Sequence, residues 1–182
     1  NSQQVMERTK MLNDHGRNPK IKKVFWMENY GYKYKMSNLQ AAVGVAQLEQ
    51  LERFIKKKRW IGLKYNELLK DVTGLQLPVM ETSYSKNIYW VYGVVLDSSI
   101  KMSAEKFIIN LAKLGIGARP FFFPLNKQPV LKKMNLFKKQ TFPVAENLYK
   151  RGLYLPSGLK LDCKSIKKVA KLVKQLINKN KI

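Results

Sequence analysis

Few residues of this chain belong to types that do chemistry on their own. There is one histidine, His15, and one cysteine, Cys163. A protein-bound zinc ion takes three or four such ligands, and a Cys/His nucleophilic pair needs a third group to orient its base, so neither class can be assembled. Gly115-Ile116-Gly117 is the nearest approach to a phosphate-cradling glycine loop. It follows a helical pattern instead of opening one, and so reads as a helix cap and turn; no Walker or Rossmann pattern exists. Glu49 and Glu52 fall on the exposed side of a helical stretch and read as solubility charges, not as a glycosidase acid/base pair. No metal ligand set and no catalytic residue can be named from residue chemistry. A single cysteine also forbids an internal disulfide, which makes the cytoplasm the default compartment.

The charge suggests a different class. Among 182 residues, 35 are Lys or Arg and 12 are Asp or Glu, a formal net charge of +23. Clustered basic residues release counterions from phosphate backbones, which puts nucleic acid first among conceivable partners. Only Arg8, Arg17, Arg53, Arg59, Arg119 and Arg151 are arginines, however, and Arg carries the bidentate fork of base and phosphate recognition. Runs such as Lys56-Lys57-Lys58-Arg59 and Lys167-Lys168 interleave with apolar positions at helical spacing, the pattern of a solvated helix face. Attraction to nucleic acid is therefore expected to be nonspecific only. With 45% hydrophobic and 11% aromatic residues the chain is too apolar to be disordered. Its longest apolar stretch, Ile88 to Leu96, falls far short of the ~20 residues of a membrane span. Asn1 is not an initiator Met, so the chain is expected to begin inside a longer one.

The elements that must position any site are legible in outline. Ser37-Asn38-Leu39-Gln40 is a capping box that starts a helix. Apolar residues recur at Leu39, Ala42, Val43, Ala46, Leu51, Ile55, Tyr65, Leu68 and Leu69 until Thr73-Gly74, which predicts one long helix across that stretch. Ile88 to Leu96 is a β-branched and aromatic strand, Ser103 caps a helix through Leu114, and Ile116 to Phe123 reads as a second strand. Gln128 to Lys139 is irregular or short helix, Pro143 opens a helix to Arg151, and Leu153-Tyr154-Leu155 is a short strand. Ile166, Val169, Val173 and Leu176 give a last helix its docking side. Residues 1–36 are an irregular segment in which Trp26, Tyr30, Tyr32 and Tyr34 suggest a buried loop or an interface; residues 37–73 are the long helix; residues 74–182 are a small α/β unit of about three strands and three helices.

The order of these segments resembles a known family. Gly31-Tyr32-Lys33-Tyr34-Lys35-Met36-Ser37-Asn38-Leu39-Gln40-Ala41-Ala42, then Gly44 and Ala46-Gln47-Leu48-Glu49, is similar to the DegT/StrS sugar-nucleotide aminotransferases. Leu12-Asn13-Asp14-His15-Gly16-Arg17 upstream agrees. Downstream, Asn87 to Tyr92, Gly115 to Pro124, Gln128-Pro129, Phe142 to Glu146 and Gly152 to Leu159 are most similar to the perosamine synthetase branch. The resemblance covers the whole chain. It implies the C-terminal part of a fold-type I, pyridoxal 5'-phosphate (PLP)-dependent transferase: the end of the large domain, an interdomain helix and a small α+β domain. Such enzymes are dimers that move an amino group, usually from glutamate, to a 4-keto-6-deoxy sugar on a nucleotide. In the family the Schiff-base lysine, the acid facing the pyridinium and the stacking aromatic all lie in the large domain before this point. The implied partners are thus a homodimer mate or a complementing N-terminal half, a nucleotide sugar and an amino donor.

Some residues carry over. Lys33 stands where the family commonly has an Asn that reaches the partner subunit's cofactor phosphate, and Lys35 where it has Arg; these are either phosphate-binding point charges or two more surface lysines. Arg119 either holds a nucleotide phosphate or is a strand-edge structural residue. Asn126 replaces a family His at the sugar site, which keeps hydrogen bonding and removes proton transfer. Tyr89 and Trp90 match the strand at the domain interface, where most aromatics are core, and His15 is read as structural. Two readings from other classes stand beside this one: a basic polyanion-binding module, and a dimerisation remnant without a ligand.

Overall fold

The computed structural model describes residues 2–18, 20–23, 26–138 and 140–181. They fall into two compact units, Asn1–Leu51 and Glu52–Ile182.

The first unit opens with a helix that the sequence pattern hides. Helix α1 (Gln3–Asn13) buries none of its residues, so no apolar stripe announces it; Ser2 caps it by accepting the Val5 N–H. It ends in two left-handed residues, His15 (φ 61°) and Gly16 (φ 77°). The following segment returns alongside this turn: the Tyr32 N–H donates to Leu12 O at 2.7 Å and the His15 N–H to Tyr32 O at 3.1 Å. A Cβ on Gly31 would lie 2.1 Å from the Gly16 nitrogen, so the two backbones meet only because both residues are glycine. His15 thus serves a turn. Trp26, Tyr30, Tyr32 and Tyr34 are exposed within the chain, which removes the buried-loop reading. Helix α2 (Asn38–Glu49) carries the expected capping box, with Ser37 and Gln40 serving each other's backbone N–H.

The single long helix is corrected to two. At Gln50 (φ −99°, ψ −4°) the N–H turns back onto Gln47 O, a tightened last turn that ends α2; α3 then runs over Leu51–Leu69.

In the second unit four antiparallel strands, β1 (Leu75–Gln76), β2 (Tyr92–Leu96), β3 (Arg119–Pro120) and β4 (Gly152–Leu155), lie in the order β1-β2-β4-β3. Tyr92 faces Leu155, Val94 faces Leu153 and Arg119 faces Tyr154. β1 is an addition to the three expected strands, and both longer strands are trimmed. Ile88 to Val91 are not strand because Asn87 Oδ1 accepts the Tyr89 N–H at 2.7 Å and Tyr89 takes φ 52°, a local side-chain turn that outcompetes the β pattern. Of Ile116 to Phe123, only Arg119 and Pro120 pair.

Helix α4 (Ala104–Lys113), α5 (Pro129–Lys133), α6 (Pro143–Arg151) and α7 (Cys163–Lys179) complete the unit, with a 3₁₀ turn at Leu125–Lys127. Lys139, the end of the stretch read as irregular or short helix, lies outside the described residues. Ser103 and Asp162 cap α4 and α7 through the Lys106 and Ser165 N–H groups. Tyr92, Val94 and Leu96 alternate inward on β2 and pack with Tyr65 and Leu69 of α3, Phe107 and Leu111 of α4, and Ile166, Val169, Val173 and Ile177 of α7. Arg151 locks the end of α6 to the β2–α4 connection: its guanidinium donates to the carbonyls of Leu96, Asp97, Ile100 and Met102. Asp97 O also accepts the Ile100 N–H at 3.2 Å, so there the guanidinium adds a second donor.

Candidate functional site

The second unit carries a cavity of about 340 Å³ at the sheet end where β2 begins and β4 finishes. Trp90, Arg119, Phe122, Tyr154, Pro156 and Ser157 are among its walls. Local structure puts each there. The Tyr89 turn ends one residue before Trp90, which is left 68% exposed. The β3–β4 pairing sets Arg119 opposite Tyr154. Tyr154 stacks on Phe121 at 4.7 Å between centroids and meets Phe122 edge-on at 6.3 Å. Room for the Phe121 ring comes from Gly152, whose Cβ would fall 2.4 Å from it.

One cation stands in the wall of this cavity and a second bonds to a wall residue. The Arg119 side chain is exposed and makes no hydrogen bond or ion pair among the described residues. Behind Ser157, Lys58 of α3 donates to the Ser157 carbonyl at 2.7 Å and lies 3.4 Å from its hydroxyl. Burial of the Lys58 ammonium lowers its pKa below the ordinary lysine value. The wall has no carboxylate, imidazole or thiol. Such a site can hold an anion beside a flat ring.

The structure brings two of the carried-over residues together, Trp90 and Arg119. Tyr89 is 3% exposed, its ring lying over Gly62 of α3, and its hydroxyl accepts from Asn66 Nδ2 at 3.1 Å while Asn66 Oδ1 accepts from the Tyr92 hydroxyl at 2.7 Å. Tyr65 completes this cluster, stacked on Tyr92 at 4.7 Å and donating to Pro156 O at 2.9 Å. Asn126 donates to Glu146 at 3.3 Å; neither it nor Tyr89 lines the cavity. The Glu146 carboxyl is held below the ordinary carboxylate range, first by hydrogen bonding to Lys127 and then to Asn126. Lys33 and Lys35 belong to the first unit. Lys35 is ion-paired with Asp14 at 3.5 Å, whereas Lys33 is exposed and bonds to no carboxylate among the described residues. Sequence reasoning passed over Phe122, Tyr154, Ser157 and Lys58; the glycines opposite the aromatics, Gly93 and Gly152, were the available signal.

The sequence profile of the DegT/DnrJ/EryC1/StrS aminotransferase family matches residues 1–174. This chain belongs to that family. GDP-perosamine synthase from Vibrio cholerae is 32% identical over 157 residues, covering 86% of this chain and 41% of that protein. Its Escherichia coli O157:H7 counterpart is 32% identical over 146 residues, 80% of this chain and 38% of that one. The chain therefore spans less than half the length of these relatives. Among solved structures, Helicobacter pylori PseC, an aminotransferase of pseudoaminic acid biosynthesis, superposes with a TM-score of 0.83 at 21% identity, over 98% of this chain and 47% of its own. S. venezuelae DesV gives 0.78 at 20%, over 96% and 44%. The fold is that of the C-terminal part of a fold-type I transferase.

Members of the DegT family are PLP-dependent. A cofactor of that kind needs a phosphate anchor, a carboxylate facing its ring nitrogen and a lysine that can form a Schiff base with it. Lys33, an exposed cation of the first unit, has the charge that the first requirement asks for. No polar or charged side chain among the described residues is fully buried, so neither the carboxylate nor a sequestered lysine is met within them. These residues fit the phosphate end of the cofactor and not its ring.

Proposed function

We propose that the chain acts as the C-terminal part of a PLP-dependent aminotransferase for a nucleotide-linked 4-keto-6-deoxy sugar, and that it is inactive until a polypeptide segment outside these 182 residues supplies the Schiff-base lysine. The observation that carries the reading is the family match across residues 1–174. In this reading Lys33 meets the cofactor phosphate, Arg119 meets a nucleotide phosphate, Trp90 supplies a flat wall beside it, and Asn126 offers a hydrogen bond to the sugar. Tyr89 acts from beneath by holding the turn before Trp90. The exposed Tyr30, Tyr32, Tyr34 and Leu39 support the assembly that this requires, either with a complementing half or with a second copy.

The test is to express the chain alone and together with the N-terminal part of the Vibrio cholerae relative, then supply PLP, glutamate and the keto sugar nucleotide. Amino-sugar formation is expected only from the pair. A borohydride-trapped PLP adduct on a lysine of the isolated chain would overturn the assignment of the reactive lysine to another segment. A second arm with Lys33→Gln is expected to raise the PLP concentration that the pair requires.

A further inference from the structure

The lysine face of α7 goes beyond the aminotransferase reading. Lys164, Lys167, Lys168, Lys171, Lys174 and Lys179 are all exposed. At about 100° per residue they occupy roughly 140° of the helix circumference, opposite the stripe of Ile166, Val169, Val173 and Ile177 that enters the core. At ~1.5 Å rise per residue they form a ridge roughly 22 Å long. None has an ion-pair partner within 4 Å among the described residues. The carboxylates nearby are committed or marginal. Asp162 caps α7, and Glu67 pairs with Lys64 at 2.7 Å while feeling Lys167 only through its field. Asp71 shares a shallow hollow with Lys174, and Asp97 is hydrogen-bonded to Ser99.

We infer that this ridge is a sequence-independent docking surface for the phosphodiester backbone of duplex nucleic acid. A duplex presents a line of phosphates at roughly one charge per 1.7 Å of axis, and a band of cations running along a helix axis complements a line. The ridge has no arginine, so the bidentate fork that reads base edges is missing and phosphate contact is what remains. An anionic bilayer is the poorer match: interfacial helices sink an apolar face below the headgroups, and the apolar face of α7 is already consumed by the core.

Six phosphate contacts would give a slope of about −5 for log K against log salt, a loss of roughly a thousandfold between 50 and 200 mM. The experiment is fluorescence anisotropy of a labelled mixed-sequence 20-base-pair duplex across KCl concentrations, with two variants that each remove four charges. Lys164/Lys167/Lys171/Lys174→Gln takes them from the ridge; Lys56/Lys106/Lys132/Lys133→Gln takes them from other exposed positions of the same unit. The expected result is that the ridge variant loses most of the affinity and about 3.6 of the slope, while the control keeps both within a factor of a few. Circular dichroism of both variants checks that α7 remains folded. Equal losses in the two variants would show a diffuse field of the whole chain and overturn the site. No duplex binding by the unmodified chain at 50 mM KCl, or tighter binding to phosphatidylserine vesicles than to the duplex, would overturn it as well.

Discussion

Gly62→Ala tests the packing that holds the Tyr89 turn just before Trp90. The helix alone would welcome the change, since replacing a mid-helix glycine by alanine contributes up to about 1 kcal/mol. Tyr89 reverses the sign. A Cβ at position 62 would stand 2.2–2.5 Å from three carbons of the Tyr89 ring, against an ordinary contact of 3.4 Å or more, so the ring would have to recede by about 1.2 Å. It has little room to do so: its backbone is fixed at φ 52° by the Asn87 side chain, and its hydroxyl is held by Asn66. Overpacking costs about 1–3 kcal/mol, and a 1.2 Å displacement of a ring pinned at both ends places this one at about 2–3 kcal/mol; after a helix gain of about 1 kcal/mol a net destabilisation of roughly 1–2 kcal/mol remains, a fall in Tm of roughly 3–8 °C for a unit of this size. Gly44 in α2 is the internal contrast, because nothing lies within 4 Å of a Cβ there; Gly44→Ala should stabilise the first unit. Thermal unfolding followed by circular dichroism measures both. In a Tyr89→Gly background, which removes the ring and suits the positive φ, Gly62→Ala should become neutral or stabilising. A Gly62→Ala protein as stable as the parent, with Tyr89 present, would refute the argument.

Two further outcomes follow from the second unit. Arg151→Met takes the guanidinium from the carbonyls of Leu96, Asp97, Ile100 and Met102, of which Asp97 keeps the Ile100 N–H, and should cost roughly 2–4 kcal/mol in urea unfolding, with Arg151→Lys recovering less than half because one ammonium cannot reach all four. Burial pushes the Tyr65 and Tyr92 hydroxyls well above their ordinary 10.0, so the neutral phenols add stability that is fully present below pH 10 and is lost as pH rises beyond it. Phenolate absorbance at 295 nm should therefore show Tyr65 and Tyr92 ionising only together with loss of the circular dichroism signal.

What the sequence revealed and concealed divides along a physical line. Elements governed by their own caps and faces were legible: the Ser37 box, the Ser103 and Asp162 caps, Pro143 at the start of α6, and the apolar stripe of α7. Elements governed by one side chain's competition with the ladder were not. Asn87 captures the Tyr89 N–H and removes four residues from a strand whose β-branched run is otherwise strong. Gln50 breaks a periodicity that continues on both sides of it. α1 buries nothing, so its pattern carries no signal. The site was half legible for the same reason. Arg119 and Trp90 meet because strand pairing and the turn bring them together, but Tyr154 and Ser157 join them only through a strand contact more than thirty residues away in sequence.

The aromatic row Tyr30, Tyr32 and Tyr34, exposed on a chain of net charge +23, also governs how copies of the molecule treat one another. At low ionic strength like charges hold them apart and the rings stay wet. Near 0.1 M salt, repulsion is screened beyond ~10 Å, and short-range attraction between the rings takes over. Colloidal stability of the isolated chain should therefore fall as salt is added, the reverse of the salting-in shown by proteins whose opposite charges pair between molecules.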